Sequence, residues 1–197
     1  KTFEKFAVAY PDYKEIDNVT YQLGLCLMEQ QQWQLALGHF KEVPLKSAWR
    51  DEAVYQSAWC GKRKGEKPAA TKHYKELLSN HPESPLVVYG TIELAELEFE
   101  VGELEAAGKR LEKLIESGLD AKLRGRAQYR LGWCYFEKKD FSKAAGMYEL
   151  ASAVATKELR ITTLWQAGEA RLHVKEYDAA SVNFKKVAHE AKPIEKN

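Results

Sequence analysis

The chain has 197 residues, of which 45% are hydrophobic and 30% charged, with only 6 prolines and 12 glycines. This composition excludes a disordered or collagen-like chain, and no uncharged stretch approaches the roughly 18 residues of a membrane span. Thirty lysine and arginine residues against 29 aspartate and glutamate residues give a formal charge of +1, without the basic excess of a nucleic-acid-binding surface. We therefore expect a folded chain that binds no nucleic acid and does not insert directly into a membrane.

An internal repeat runs along the chain. Segments 21–27 and 129–135 share the frame Tyr-x-Leu-Gly-x-Cys. A small residue recurs at steps of 34, 37, 37 and 36 residues, at Gly24, Ala58, Ala95, Gly132 and Gly168. An alanine follows twelve positions later each time, at Ala36, Ala70, Ala107, Ala144 and Ala180. A bulky residue comes four positions after that, at Phe40, Tyr74, Leu111, Tyr148 and Phe184. Five units in one phase indicate a repeat architecture.

Each unit is predicted to form two amphipathic helices joined by a short break, because apolar residues recur at spacings of three and four. In chain order, the second half of a truncated repeat is expected over residues 1–13, followed by repeats over 17–48, 51–83, 86–118, 123–157 and 160–193. Ser84 is expected to cap the first helix of the third repeat, with Pro85 at its first position. The small residues are expected to be buried and to face each other, so that the two helices approach closely.

The repeat resembles the tetratricopeptide repeat (TPR) family. Its Leu-Gly…Tyr…Ala…Phe…Pro signature is matched by Leu23, Gly24, Trp33, Ala36 and Phe40, with Pro82 closing the second unit. The resemblance covers nearly the whole chain and implies an all-α fold, a right-handed α-α superhelix (TPR solenoid) of about five and a half helical hairpins in a single domain over 1–197. The long steps are similar to TPR arrays of bacterial cell-envelope proteins, which favours the bacterial periplasm or cell envelope over the cytoplasm.

No motif for catalysis or metal binding occurs in the sequence. The five histidines fall at scattered repeat phases, and no HExxH pair, nucleophile elbow, phosphate loop or dinucleotide fingerprint is present. Glu93, Glu96 and Glu100 share one helix face, which we interpret as a solvated or ion-paired face rather than as catalytic carboxylates. We predict that the chain is not an enzyme and uses no cofactor and no metal.

The three cysteines fall two residues after the small position of their repeats, at Cys26, Cys60 and Cys134. Equivalent positions of different repeats lie too far apart for a disulfide. We expect all three to be reduced and buried, each packed inside its own repeat.

The family resemblance also implies a concave surface lined by the first helices of successive units. On these helices the residues three before, one after and four after the small position are expected to point inward, and most are aromatic or large and apolar, as at a partner site. The predicted peptide-binding residues are Tyr21, Leu25, Met28, Tyr55, Trp59, Lys62, Phe99, Arg126, Tyr129, Arg130, Trp133, Phe136 and Trp165. The alternative is that some of these rings pack between adjacent repeats.

Some TPR domains hold the carboxyl end of a chaperone tail with a Lys, Asn and Arg clamp. Arg126 and Arg130 match its basic pair, but Tyr55 and Trp59 occupy the Lys and Asn positions. We therefore do not transfer the chaperone function. We expect these arginines to pair with Glu93 or Glu96, or to hold an acidic side chain of a ligand.

The expected function is a non-catalytic protein-protein interaction scaffold that binds a peptide or protein segment in the aromatic groove. The alternative is a structural module that forms homo-oligomers through its uncapped solenoid ends.

Overall fold

A computed structural model describes residues 9–10, 13 and 15–191. Ten α-helices lie within these residues: α1 (Ile16–Glu29), α2 (Trp33–Glu42), α3 (Arg50–Arg63), α4 (Lys67–Asn80), α5 (Leu86–Glu100), α6 (Leu104–Glu116), α7 (Ala121–Glu137), α8 (Phe141–Ser152), α9 (Lys157–His173) and α10 (Tyr177–Glu190). Consecutive helices form hairpins, and no strand occurs in the described ranges, so the predicted all-α fold is confirmed. The half-repeat expected over 1–13 falls mostly outside the described residues.

The chain forms two compact units, residues 1–94 and 95–197. The first contains α1 to α4 and most of α5, and the second contains the end of α5 and the helices that follow it. No helix in the described part of the chain combines the length and the apolar character that crossing a bilayer requires.

The turn inside each hairpin has one shared geometry. The residue seven positions after the small residue has a positive φ in all five hairpins, at Gln31 (58°), Gly65 (78°), Gly102 (83°), Lys139 (62°) and Lys175 (62°). The amide of the next residue then donates to a carbonyl of the preceding helix, as from Gln32 to Leu27 at 2.9 Å. This is a Schellman-type ending, which satisfies the last carbonyls of the first helix and reverses the chain in two residues.

An aromatic ring packs directly on the glycine of the first, fourth and fifth hairpins. The ring of Phe40 lies against Gly24, and a methyl group at Gly132 or Gly168 would come within 2.5 Å of Tyr148 or 2.6 Å of Phe184. All ten small positions are buried, as predicted. In these three hairpins the atoms nearest to the added methyl group belong to the bulky residue sixteen positions after the glycine.

Cys60 and Cys134 are buried, but Cys26 is exposed, so the expectation for Cys26 is wrong. The side of the first helix that carries these cysteines faces the preceding hairpin. Cys60, for example, belongs to the cluster formed by Phe40 and Val43 of the first hairpin. The structure describes no hairpin before Cys26. Burial raises the pKa of the Cys60 and Cys134 thiols to about 11.

Two adjacent carboxyl groups lie at the start of α3. Burial and a hydrogen bond with Asp51 raise the pKa of Glu52 to about 7. Burial opposes ionisation of Asp51 as well, but hydrogen bonds with Glu52 and Ser84 hold its pKa below the usual value. The shared proton therefore rests on Glu52.

Ser84 also accepts a hydrogen bond from the Leu86 amide at 3.2 Å, so it caps α5 as expected, although the helix begins at Leu86 rather than at Pro85.

The ring-on-glycine contact gives the first testable prediction. Gly132→Ala should destabilise the chain by about 1–3 kcal/mol, because the new methyl group must displace the buried ring of Tyr148. Gly146→Ala is the matched control, since Gly146 lies within α8 and a methyl group there meets no atom within 4 Å. It should stabilise the chain by up to about 1 kcal/mol. Urea unfolding followed by circular dichroism measures both changes. Equal effects of the two variants would contradict this account of the hairpin.

The acid pair gives a prediction about pH. Folding raises the pKa of Glu52 from its ordinary value of 4.5 to about 7. Between these two pH values the native state therefore holds a proton that the unfolded state has lost. Its contribution to stability is therefore present below pH 4.5 and is lost as the pH rises through 7. Glu52→Gln, which is neutral at every pH, should be more stable than the native chain by on the order of 1 kcal/mol at pH 8 and nearly equal to it at pH 5.

Urea unfolding at the two pH values measures this difference. Glu116→Gln is the control, because Glu116 is exposed at the end of α6 and its substitution should change stability little at either pH. If Glu52→Gln and the native chain differ in unfolding free energy by the same amount at pH 5 and at pH 8, Glu52 does not carry the proton.

Candidate functional site

Each unit contains a cavity beside a half-buried tryptophan. In the first unit a cavity of about 350 Å³ lies beside Trp59 of α3, and its lining consists of Met28, Glu29, Gln31, Trp33, Trp59 and Arg63. In the second unit a cavity of about 320 Å³ lies beside Trp133 of α7, and its lining consists of Phe99, Trp133, Phe136, Glu137, Tyr148 and Gln166.

The two cavities are built at the same repeat positions. Trp59 and Trp133 each stand one residue after the small position of their hairpin. Met28 and Phe99 each stand four residues after the small position of the preceding hairpin. These two repeat positions, one and four residues after the small residue, are among those that the sequence predicts to point inward. The structure therefore brings the predicted residues together in two places, one in each unit.

Neighbouring side chains hold the tryptophan of the first unit in place. Trp33, the first residue of α2, contacts Trp59 edge-on, with ring centroids 5.6 Å apart and an angle of 68° between the planes. The guanidinium carbon of Arg63 lies 4.5 Å from the centroid of the Trp59 ring. Edge-to-face packing and a cation on the ring face both stabilise one orientation of the indole.

The tryptophan of the second unit lies in a larger aromatic cluster. Trp133 lies 5.0 Å from Tyr129 and 5.5 Å from Phe99, measured between ring centroids. Phe136, one turn further along α7, lies 5.1 Å from Phe141. Rings that contact one another at steep angles form a preformed wall rather than a set of mobile side chains.

Ion pairs fix the charged residues of the predicted groove. Arg130 pairs with Glu96 at 3.0 Å, and its guanidinium carbon also lies 4.0 Å from the centroid of the Trp133 ring. Lys62 pairs with Glu93 at 2.8 Å. The interpretation of Glu93 and Glu96 as part of an ion-paired face is confirmed, as is the expected pairing of Arg130. These pairs orient the aromatic side chains and do not form a clamp for a terminal carboxylate.

Other predicted site residues occupy different environments. Tyr21 is 6% exposed and stacks on Trp49 with ring centroids 5.4 Å apart, so it belongs to the core of the first hairpin and not to a surface. Leu25 and Met28 are partly buried against the same core. Tyr55 is half-buried, with its ring 5.8 Å from the buried Tyr74.

Four predicted residues of the second unit do not belong to the lining of its cavity: Tyr129 and Arg130, which contact Trp133, and Arg126 and Trp165. Trp165 of α9 is 53% exposed, and its ring lies 5.3 Å from Phe184. Arg126 is half-buried in α7, one turn before Arg130.

Sequence reasoning missed several residues that line the cavities. Arg63 and Glu137 stand five residues after the small position, next to a predicted column. Gln166 stands two residues before it, in a column that is polar in every repeat: Gln22, Gln56, Glu93, Arg130 and Gln166. This polar column lies next to the mostly aromatic column three residues before the small position, and that pattern could have identified Gln166 as a site residue. Tyr148 was predicted only as a packing residue. Its burial raises the pKa of the phenol, which therefore stays neutral.

The described residues contain no group of three histidine, cysteine, aspartate or glutamate side chains placed so that it could hold a metal ion. What the two cavities offer chemically is aromatic contact area with a few polar atoms. Such a surface suits recognition of side chains rather than bond-breaking chemistry.

Solved structures share this fold. The structure of MamA 41-end from Desulfovibrio magneticus RS-1 matches with a TM-score of 0.76 at 17% identity, over 91% of this chain and 97% of that chain. BtubC (BKLC) from P. vanneervenii gives a TM-score of 0.76 at 16% identity, over 100% of this chain and 90% of that chain. The apo form of RapI gives 0.77 at 15% identity, over 96% of this chain and 58% of that chain. At these identities the likeness concerns the fold alone.

The sequence itself also matches a family. A comparison with curated proteins finds no match. The family model of the tetratricopeptide repeat-like domain, however, matches residues 29–193, which is most of the chain. Proteins of this family are generally non-catalytic scaffolds for protein-protein interaction. The helical hairpins, their repeat phase and this match lead to one conclusion: the chain belongs to the tetratricopeptide repeat-like family.

Proposed function

We propose that the chain is a non-catalytic interaction scaffold that binds a peptide or protein segment of a partner on the aromatic side of its first helices. The observation that carries the proposal is the recurrence of a half-buried tryptophan beside a cavity, at the same repeat position, in each unit. Tryptophans of this kind are the residues that most often anchor protein interfaces.

Binding would work through burial of the partner's apolar side chains against Trp59 and Trp133. Trp33 and Phe99 hold these rings at fixed angles, so little side-chain entropy remains to be lost on binding. Arg63 lies on the Trp59 ring and Arg130 lies on the Trp133 ring, so both cations also hold the indoles in place for a partner's apolar side chains.

The proposed binding residues are the predicted residues that keep part of their side chain exposed. In the first unit they are Leu25, Met28, Tyr55, Trp59 and Lys62, and in the second unit they are Phe99, Arg126, Tyr129, Arg130, Trp133, Phe136 and Trp165. Tyr21 is left out because it is buried in the core.

A second candidate function is self-association, and the surface of α10 favours it. Tyr177 is 63% and Val182 is 50% exposed, and a shallow cavity of about 330 Å³ lies beside Val182, Lys185 and His189. Light scattering over a range of protein concentrations tests this candidate. A mass that rises with concentration in the native chain but not in Val182→Glu would support it, and a constant monomer mass would exclude it.

The proposed function is tested on Trp59 and Trp133. Peptides selected from a phage-displayed library on the immobilised native chain serve as probes, and fluorescence anisotropy gives their dissociation constants. Each selected peptide should bind about 2 kcal/mol more weakly, which is roughly thirtyfold, to Trp59→Ala or to Trp133→Ala, according to which tryptophan it contacts.

Leu35→Ala is the matched control, because Leu35 is 58% exposed on a second helix, α2, and its truncation should leave binding unchanged. Circular dichroism and urea unfolding establish that each variant is folded. Peptides that bind both tryptophan variants as tightly as the native chain would refute the proposed function.

A further inference from the structure

The cavity of the second unit contains two buried polar atoms without hydrogen-bond partners. One is Nε1 of Trp133, which can only donate, and the other is Oε1 of Gln166, which can only accept. Neither atom has a partner among the described residues. A buried polar atom without a partner costs free energy, so a ligand that satisfies both atoms gains what the free protein lacks.

The repeat places these two side chains side by side. Gln166 stands two residues before the small position of its hairpin, and Trp133 stands one residue after that of the preceding hairpin. Arg130 and Glu96 hold the same two positions one hairpin earlier, and their side chains meet at 3.0 Å. One chemical group can therefore reach both orphan atoms at once.

We infer that this cavity is a binding site for a primary carboxamide, the side chain of a glutamine or asparagine in the bound partner segment. The inference rests on the proposed function and names the chemistry that one part of the surface recognises. The carboxamide oxygen accepts the Trp133 indole hydrogen bond, and its NH₂ group donates to Oε1 of Gln166.

Other common groups satisfy the pair less well. A carboxylate has no hydrogen to donate to Gln166, and it would meet the like charge of Glu137 at the cavity lining. An ammonium group has no lone pair for the indole hydrogen. A backbone peptide group is trans, so its N–H and C=O point in opposite directions, whereas a primary amide presents both on one edge.

The walls of the cavity suit this ligand. Phe99 and Phe136 line it, and the pKa of Tyr148 is raised by burial, so its lining ring stays uncharged. In such an apolar setting each hydrogen bond discriminates strongly between ligands. Arg130 on the Trp133 ring fixes the indole, and the terminal torsion of Gln166 is a soft rotor that can turn its amide toward the ligand.

The experiment follows the indole N–H signals of the full ¹⁵N-labelled chain by NMR. The chain has five tryptophans, and the loss of one signal in Trp133→Phe assigns the signal of Trp133. The probes are propionamide, which is the glutamine side chain, its isomer N-methylacetamide as a mimic of the backbone, propionate and butanone. Propionamide should move the Trp133 signal downfield with saturation, and its dissociation constant should be at least about tenfold lower than those of the other three probes.

Gln166→Leu should remove this preference for propionamide over butanone, because the acceptor of the NH₂ group is gone. The variant is expected to stay folded, since an apolar group replaces an unpaired polar atom. Gln22→Leu is the matched control: it changes the same repeat position in the other unit and should leave the Trp133 response intact. The Trp59 indole signal serves as an internal control and should not respond selectively to propionamide.

The inference is overturned if the Trp133 signal does not move with propionamide, or if all four probes move it equally. Preference for N-methylacetamide would assign the site to the peptide backbone instead, and preference for propionate would assign it to an acidic side chain. Either result refutes the carboxamide and leaves the proposed function standing. The proposed function fails separately, when the selected peptides bind Trp59→Ala and Trp133→Ala as tightly as the native chain.

Discussion

The contact of an aromatic ring with a glycine backbone fixes the register of a hairpin in this protein. Phe40 on Gly24, Tyr148 on Gly132 and Phe184 on Gly168 each fill the space that a side chain would otherwise occupy. A hairpin whose helices slid past each other by one residue would lose this fit, because each residue turns the helix by about 100°. The rotation of the first helix is thereby set, and with it the side on which the next residue, such as Trp133, comes to lie.

The repeat thus determines where a cavity forms, while the residues outside the repeat pattern determine its chemistry. The cavity beside Trp59 has Glu29, Gln31 and Arg63 in its lining, so it is charged and polar at its rim. The cavity beside Trp133 has Phe99, Phe136 and Tyr148 in its lining, with Glu137 and Gln166 as its polar residues, so it is richer in aromatic rings. Two cavities at equivalent repeat positions therefore present different side chains.

The regular spacing of apolar, small and bulky residues was enough to predict the helices and the buried small positions, whereas the columns that line the cavities were predicted from the resemblance to the TPR family. It failed where the neighbourhood of a residue depends on more than its place in the repeat. Tyr21 stands in an inward-pointing column, yet Trp49, which no repeat position predicts, covers it. Cys26 stands in a buried column, yet no described hairpin precedes it. Gln166 stands in a column that is polar in every repeat, but only the structure shows that it lines a cavity.

The hairpins differ in length only outside their turns. Within each hairpin the alanine always follows the small residue by twelve positions, with the left-handed residue at the seventh, whereas 22, 25, 25 and 24 residues separate that alanine from the next small residue. A genetic duplication or deletion with both ends in the connections between hairpins would therefore carry an intact turn and an intact ring contact with it. Such a chain can gain or lose whole hairpins as units of evolution.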